Sequence, residues 1–163
     1  MKIALASDHA GFRLKEEIKK FIQENNIQYT DFGTYSEERT DFVDWGECAI
    51  KGIVSGEFQR GILICGTGLG MTILANKFSG IRATPCYDLY LAKMSREHND
   101  SNVLVLGGRI TAPGLAREIV KVWLETEFQG GRHQRRLDKI RPVSYTHLRA
   151  HETRHDLVCR LLL

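Results

Sequence analysis

The chain has 163 residues, 42% of them hydrophobic, with 23 Lys+Arg against 20 Asp+Glu. That length and apolar content suit one soluble domain with a real core, and nothing suggests a second. The charge is uneven: residues 1–140 carry 19 Lys+Arg and 18 Asp+Glu, while residues 141–163 carry four Arg against Glu152 and Asp156. The body is therefore close to neutral, so the basic pI argues weakly for nucleic acid and no such partner is expected.

Taken in order, Lys2 to Ala6 (KIALA) predicts a first buried strand, followed by a polar turn from Ser7 to Gly11. From Phe12 to Asn25, Leu14, Ile18, Phe21 and Ile22 fall on one helical face, with Asn25 and Asn26 as the stop. Gln28 to Phe32 predicts a second strand closed by Gly33, and the polar run Thr34 to Asp44 predicts a loop. A helix through Cys48, Ile50 and Ile53 then runs to Gly56. The apolar run through Met1 to Gly11 is too short for a signal peptide, and no segment approaches a membrane span in length. A cytosolic protein without membrane contact is expected.

Gly61 to Asn76, GILICGTGLGMTILAN, organises the rest. Ile62, Leu63 and Ile64 form the kind of aliphatic run a parallel strand shows when both faces are buried. Cys65 ends that strand, and Gly66, Gly68 and Gly70 follow at alternate positions, where backbone N–H groups can approach a ligand without an intervening Cβ. Those donors open a helix whose core face is Met71, Leu74, Ala75 and Phe78. Such a cradle favours an oxyanion or phosphate, and its field lowers the pKa of a thiol placed there. Cys65 is thus a candidate base or nucleophile. The competing reading is a buried structural cysteine, against which the three glycines weigh.

Familiar motifs fail here on named residues. A dinucleotide fingerprint needs a third glycine where Met71 stands, and an ATPase phosphate loop needs a lysine that is absent between Arg60 and Lys77. A cysteine phosphatase needs an arginine six positions after its cysteine, which is Met71 again. Cys48, Cys65, Cys86 and Cys159 show no CxxC pair, so neither disulfides nor a zinc site is expected.

Beyond this stretch, Ile81 to Pro85 predicts a fourth strand, Asp88 to Glu97 a helix, and Val103 to Leu106 a fifth strand ending in Gly107, Gly108 and Arg109. Ala112 to Phe128 predicts the last long helix, with Ala116, Ile119, Val120, Trp123 and Leu124 toward the core. Strands alternating with helices argue for an α/β fold: a Rossmann-like, doubly wound sheet of five parallel strands flanked by helices on both faces. Ligands of such sheets sit at the carboxyl ends of the strands, where Asp8 and His9, Cys65 to Gly70, and Arg109 all fall.

His98, Asn99 and Asp100 instead precede the fifth strand, at the amino edge. A five-residue strand spans roughly 17 Å, so His98 should not reach Cys65 within one chain. Either this cluster is a helix stop or a second subunit delivers it. Arg132 and Arg136, after the last helix, raise the same choice between a solvated face and a phosphate clamp whose spacing puts both guanidinium groups on one side of a turn.

SDHAGF (Ser7 to Phe12), CGTGLGM (Cys65 to Met71), ANKFSGIRA (Ala75 to Ala83), SREHND (Ser95 to Asp100) and GGRHQRR (Gly130 to Arg136) resemble ribose-5-phosphate isomerase of the B type. The match covers residues 1–140, predicted as a single domain. The related galactose-6-phosphate isomerase subunits share the fold and glycine loop but are less similar at the last two motifs.

The resemblance implies a cofactor-free, metal-free interconversion of ribose 5-phosphate and ribulose 5-phosphate through an enediolate. It also implies a homodimer, with pairing into tetramers left open, whose sites draw on both subunits. In family terms Cys65 moves the proton, and the backbone of Gly66, Thr67, Gly68, Leu69 and Gly70 stabilises the oxyanion. Thr67 orients the sugar hydroxyls, and His98 with Asp8 opens the furanose ring. His9, Arg132 and Arg136 hold the phosphate, while Asn99 and Arg109 contact substrate. Allose or galactose 6-phosphate is the alternative substrate, and a non-catalytic sugar-phosphate-binding module the alternative class.

Two features depart from the family. Asp41, Phe42 and Val43 stand where many relatives carry a Tyr-Pro pair after the acidic residue, so the aromatic surface stays and a hydroxyl is lost. Residues 141–163 lie beyond the family's end and read as non-native appended sequence. Their His151–Glu152–Thr153–Arg154–His155 run matches HExxH, but without a third ligand it is set aside as a zinc site.

Overall fold

The computed structural model describes residues 1–141, in two compact units: Met1–Phe128, and the segment beginning at Gln129. In the first unit the elements alternate as β1 (Lys2–Ser7), α1 (Phe12–Glu24), β2 (Gln28–Asp31), α2 (Phe42–Val54), β3 (Arg60–Cys65), α3 (Leu69–Ala75), β4 (Ala83–Pro85), α4 (Leu89–Glu97), β5 (Val103–Gly107) and α5 (Pro113–Glu125). The strands form one sheet in the order β2-β1-β3-β5-β4, and every pairing is parallel. β2 lies on one side of β1 and β3 on the other, so the chain reverses direction across the sheet between β1 and β3. In open α/β sheets that reversal leaves a crevice at the carboxyl ends of the two strands.

Period-two alternation along buried strands divides the core. Ile3, Leu5, Ile62, Ile64, Leu104 and Leu106 face α1, α4 and α5, where Leu14, Ile18, Ile22, Ala92, Ala116, Ile119, Val120 and Trp123 pack. Ala4, Ala6, Leu63, Cys65, Val103 and Val105 face α2 and α3, against Ala49, Ile50, Ile53, Met71 and Ala75. This is the doubly wound sheet that the alternating pattern predicts.

Among the boundaries that differ from the sequence expectation, three have a clear local reason. α2 begins at Phe42 rather than after Asp44 because Asp41 caps it, accepting a hydrogen bond from the Val43 amide. α3 stops at Ala75, before Phe78, because the Asn76 side chain bonds both the amide and the carbonyl of Ala83 and diverts the chain into β4. β4 starts two residues late because the Arg82 amide donates to the Asn102 side chain instead of to a strand.

Lys15 is the element of α1 that periodicity did not reveal. It sits beside Leu14, fully buried, and its ammonium donates at 2.6 Å to both Asp31 Oδ1 and the Thr34 carbonyl. Burial pulls its pKa down, against the opposing pull of Asp31. The pair ties α1 to the end of β2, so the β2–α2 loop leaves the sheet from a fixed point.

In the second unit Gly130 and Gly131 adopt φ of +64° and +55°, and the chain is helical over 132–141. Residues 142–163, with the HExxH run, lie outside the described residues. No helix among the described residues is long and apolar enough to cross a membrane.

Candidate functional site

Three loops leave the carboxyl edge from neighbouring strands and are laced together through backbone. The Asp8 amide donates to the Ile64 carbonyl at 3.1 Å, tying the β1 loop to β3. The Gly108 and Arg109 amides donate to the carbonyls of Cys65 and Gly66 at 2.8 and 3.0 Å, tying the β5 loop to the other side of β3. Such close approach needs glycine. A Cβ on Gly108 would lie 2.4 Å from the Ala10 carbonyl oxygen, and one on Gly11 2.6 Å from that of Ile64.

These contacts enclose a cleft of about 480 Å³ lined by Asp8, His9, Ala10, Arg39, Gly66 and Arg109. Asp8 is buried, and its Oδ1 accepts from the Gly11 amide at 2.9 Å. His9 lies with Nδ1 against the Thr40 backbone, 3.3 Å from its amide and 3.1 Å from its carbonyl. The Arg109 stem passes over Gly66, within 3.6–3.7 Å of where a Cβ would stand.

Cys65 ends β3, paired with Gly107, and is only 5% exposed on the α2–α3 face of the sheet. The next residue, Gly66, reaches the cleft. Thr67 is exposed and its Oγ1 accepts from the Leu69 amide at 3.4 Å. Gly68 is the N-cap of α3, with φ +84° and no side chain to cap the helix, so among the described residues only the long Thr67 Oγ1 contact reaches its first amide. Phe42 lies against Gly70, whose added Cβ would meet its ring at 2.9 Å, so the aromatic that replaces the usual tyrosine serves as packing surface.

Asp8, His9, Gly66 and Arg109 are therefore brought together in the cleft, with Cys65, Thr67, Gly68, Leu69 and Gly70 adjoining them through one turn of chain. His98 and Asn99 are not. His98 is the C-cap of α4, its amide donating to the Met94 carbonyl at 2.9 Å, and Asn99 is exposed in the following turn. Both precede Val103, which pairs with Gly61 at the far end of β3 from Cys65. Asp100 fixes this turn: it has φ +46° and takes one arginine on each carboxylate oxygen, Arg96 on Oδ1 at 2.9 Å and Arg82 on Oδ2 at 2.6 Å. Arg132 and Arg136 belong to the second unit, exposed on its helix, with the Arg132 Nε 3.3 Å from His133 Nε2.

Two residues at this edge were missed in the sequence. Arg39 sits in the polar β2–α2 loop, where one more charge gives no signal. Tyr87 follows β4, and its hydroxyl donates to the Thr67 carbonyl at 3.2 Å. Burial pushes its phenol pKa up, and negative charge at Cys65 and Cys86 adds to the shift. Only a strand-order prediction placing β4 next to β5 would have drawn it toward the glycine loop.

The family model described as Ribose/Galactose Isomerase matches residues 3–140. The chain belongs to this family. It is 46% identical to the ribose-5-phosphate isomerase B of Escherichia coli K12, over 87% of this chain and 95% of the relative. It is 44% identical to a 4-deoxy-4-sulfo-D-erythrose isomerase of Clostridium sp. MSTE9, over 78% of this chain and 81% of that one. Among solved structures, ribose-5-phosphate isomerase B of Clostridium thermocellum superposes with a TM-score of 0.89 at 49% identity, covering 90% of this chain and 99% of the other. The chain is accordingly an enzyme of the aldose–ketose isomerase class, on the five-stranded parallel sheet of its family.

Proposed function

We propose that the protein interconverts D-ribose 5-phosphate and D-ribulose 5-phosphate through an enediolate, with Cys65 as the proton-transfer base. The observation that carries this is the placement of Cys65: a thiol at the end of a central strand, one residue from the cleft and one turn before a helix start built on Gly66, Gly68 and Gly70. Proton transfer between two adjacent carbons needs a single base and a stabilised oxyanion, and that arrangement offers both. Thr67 would orient the sugar hydroxyls, and His9, with Arg132 and Arg136, would take the phosphate. Asn99 and Arg109 would contact the substrate, and His98 with Asp8 would open the ring. The whole set uses no metal or cofactor.

His98 enters this scheme from a second copy of the chain. The register that puts Cys65 and His98 at opposite edges supports that reading. So does the exposure of large apolar side chains on α3 and the first turn of α4: Leu69 at 56%, Ile73 at 64%, Leu89 at 42%, Tyr90 at 71% and Leu91 at 40%. The enzyme is read as a cytosolic homodimer acting on a small sugar phosphate, in one domain formed by residues 1–140.

Cys65→Ala tests the central role. It should keep substrate binding while turnover falls by about 10³-fold or more, the scale of losing a catalytic base; turnover within tenfold of wild type would remove Cys65 from the mechanism. A panel of four-, five- and six-carbon aldose phosphates decides the substrate, and a strong preference for a tetrose or hexose would displace ribose 5-phosphate.

A further inference from the structure

We infer that Arg39 is a substrate-binding residue: with Arg109 it forms a guanidinium pair across the cleft that takes the terminal phosphoryl group of the sugar. The inference rests on the sugar-phosphate reading above and adds a cation supplied by the same chain that carries Cys65.

The cleft holds Arg39, Arg109, His9 and Asp8. Asp8 is the one carboxylate among its lining residues, and its Oδ1 is already taken by the Gly11 amide. Neither arginine has an ion pair or hydrogen bond through its guanidinium among the described residues, although Glu37, Glu38 and Asp41 lie within two positions of Arg39 in sequence. Glu37 pairs instead with Arg13, at 2.8 Å, and the Asp41 carboxylate caps α2. Glu37 and Asp41 are thus turned to other work, and two guanidinium groups without a partner among the described residues line one cleft. Planar forks of this kind match the oxygens of a phosphoryl group.

The loop that carries Arg39 is braced. Thr34 exchanges backbone hydrogen bonds of 2.7 Å with the end of β1, its amide donating to the Ser7 carbonyl and the Ser7 amide to the Gly33 carbonyl next to it. The Lys15 ammonium holds the Thr34 carbonyl. At the other end the Trp45 indole donates to Thr40 Oγ1 at 2.9 Å, and the Thr40 backbone meets His9 Nδ1. His9 and Arg39 therefore reach the cleft as a unit, the imidazole resting on the residue next to the arginine. An anion seated on His9 lies beside both guanidinium groups, and because both are exposed their attraction for it weakens as salt is added.

Arg39→Ala and Arg39→Lys test this in the full-length protein, by calorimetric titration with inorganic phosphate and by initial rates with ribose 5-phosphate. Because the Arg39 side chain makes no bond that holds the fold, both variants should melt at the wild-type temperature. The phosphate Kd should rise about tenfold in Arg39→Ala, the scale of one charge-assisted hydrogen bond, and by less in Arg39→Lys. The KM for ribose 5-phosphate should rise in parallel and carry most of the loss in kcat/KM. Phosphate affinity and KM both within twofold of wild type in Arg39→Ala would overturn the inference, as would a wild-type protein that binds no phosphate, or a loss of affinity matched by a lower melting temperature. A wild type that binds phosphate through Arg39 yet does not isomerise ribose 5-phosphate would instead refute the proposed function alone.

Discussion

Gly108→Ala attacks the lacing between two loops of the cleft without touching a reactive side chain. The new methyl would sit 2.4 Å from the Ala10 carbonyl oxygen and 2.8 Å from the Gly11 Cα, both backbone atoms that no rotamer change can move aside. Restoring an ordinary contact of about 3.2 Å requires the β1 and β5 loops to part by about 0.8 Å. Forced overpacking of this kind costs about 1–3 kcal/mol, so a chain of this length should melt about 5–10 °C lower. Activity should suffer more than stability. Asp8 and His9 immediately precede Ala10, and Arg109 immediately follows Gly108, so the parting enters the cleft directly. A misplacement approaching 1 Å can cost about a hundredfold in rate, and kcat/KM should fall about 10- to 100-fold. Thermal melting and initial rates read both effects, with Gly114→Ala as control because a Cβ there meets nothing within 4 Å. A Gly108→Ala protein with wild-type melting temperature and kcat/KM would show that the loops are not held by this contact.

Lys19 gives a pH prediction. Burial alone lowers its pKa, but hydrogen bonds and charge from Glu16 and Asp31 outweigh that and raise it from 10.5 to about 12. A raised folded pKa means that its stabilisation is complete below pH 10.5 and disappears as pH climbs through 12; for a partly exposed side chain, solvent screening holds the amount to about 1 kcal/mol. Denaturant titrations of wild type and Lys19→Met should therefore converge between pH 10.5 and 12, and a gap unchanged across that range would contradict the assignment. A second prediction concerns the two-copy site: mixing inactive Cys65→Ala and His98→Gln proteins, with subunit exchange, should restore about a quarter of wild-type activity, since half the dimers are mixed and each has one intact site. No recovery on verified exchange would place both residues' work within a single chain.

The sheet was legible because its strands are buried on both faces and read as uninterrupted aliphatic runs: KIALA, ILI and VLVL became the three central strands, β1, β3 and β5. Elements whose limits depend on one side chain were less so. Asp41, Asn76 and Asn102 each set a boundary by bonding a backbone group that periodicity assigns to the helix or strand itself. At the site, the glycine loop, Asp8, His9 and Arg109 were legible because strand ends in a parallel sheet face one edge. Arg39 was not, because it lies well past the end of the second strand, in a loop positioned by the contact of His9 with Thr40; Tyr87 follows the fourth strand, but a lone tyrosine there gives no signal until its bond to Thr67, 20 residues away, is seen. Lys15 escaped for the opposite reason, since a lysine beside an apolar stripe reads as surface until Asp31 is known to lie under it.

The proposed chemistry divides its proton-moving groups between the two edges of one sheet, and the fold gives a reason for that division. Cys65 closes β3 where the sheet opens to the cleft, while His98 closes α4 some 13 Å or more away, beyond the start of β5. The turn that bears His98 is anything but loose: Asp100 is held from both sides by Arg82 and Arg96, and the Arg96 guanidinium also donates to the Ser101 carbonyl and stacks over Trp123. Such bracing suits the proposed presentation of His98 to a pocket on another molecule. A two-fold pairing then fills both pockets at once, because the face that offers His98 to a neighbour receives that neighbour's His98 by the same rotation. On this reading the ring-opening step exists only in the assembled enzyme, whereas the cysteine, the glycine cradle and the Arg39–Arg109 pair are complete in each chain alone.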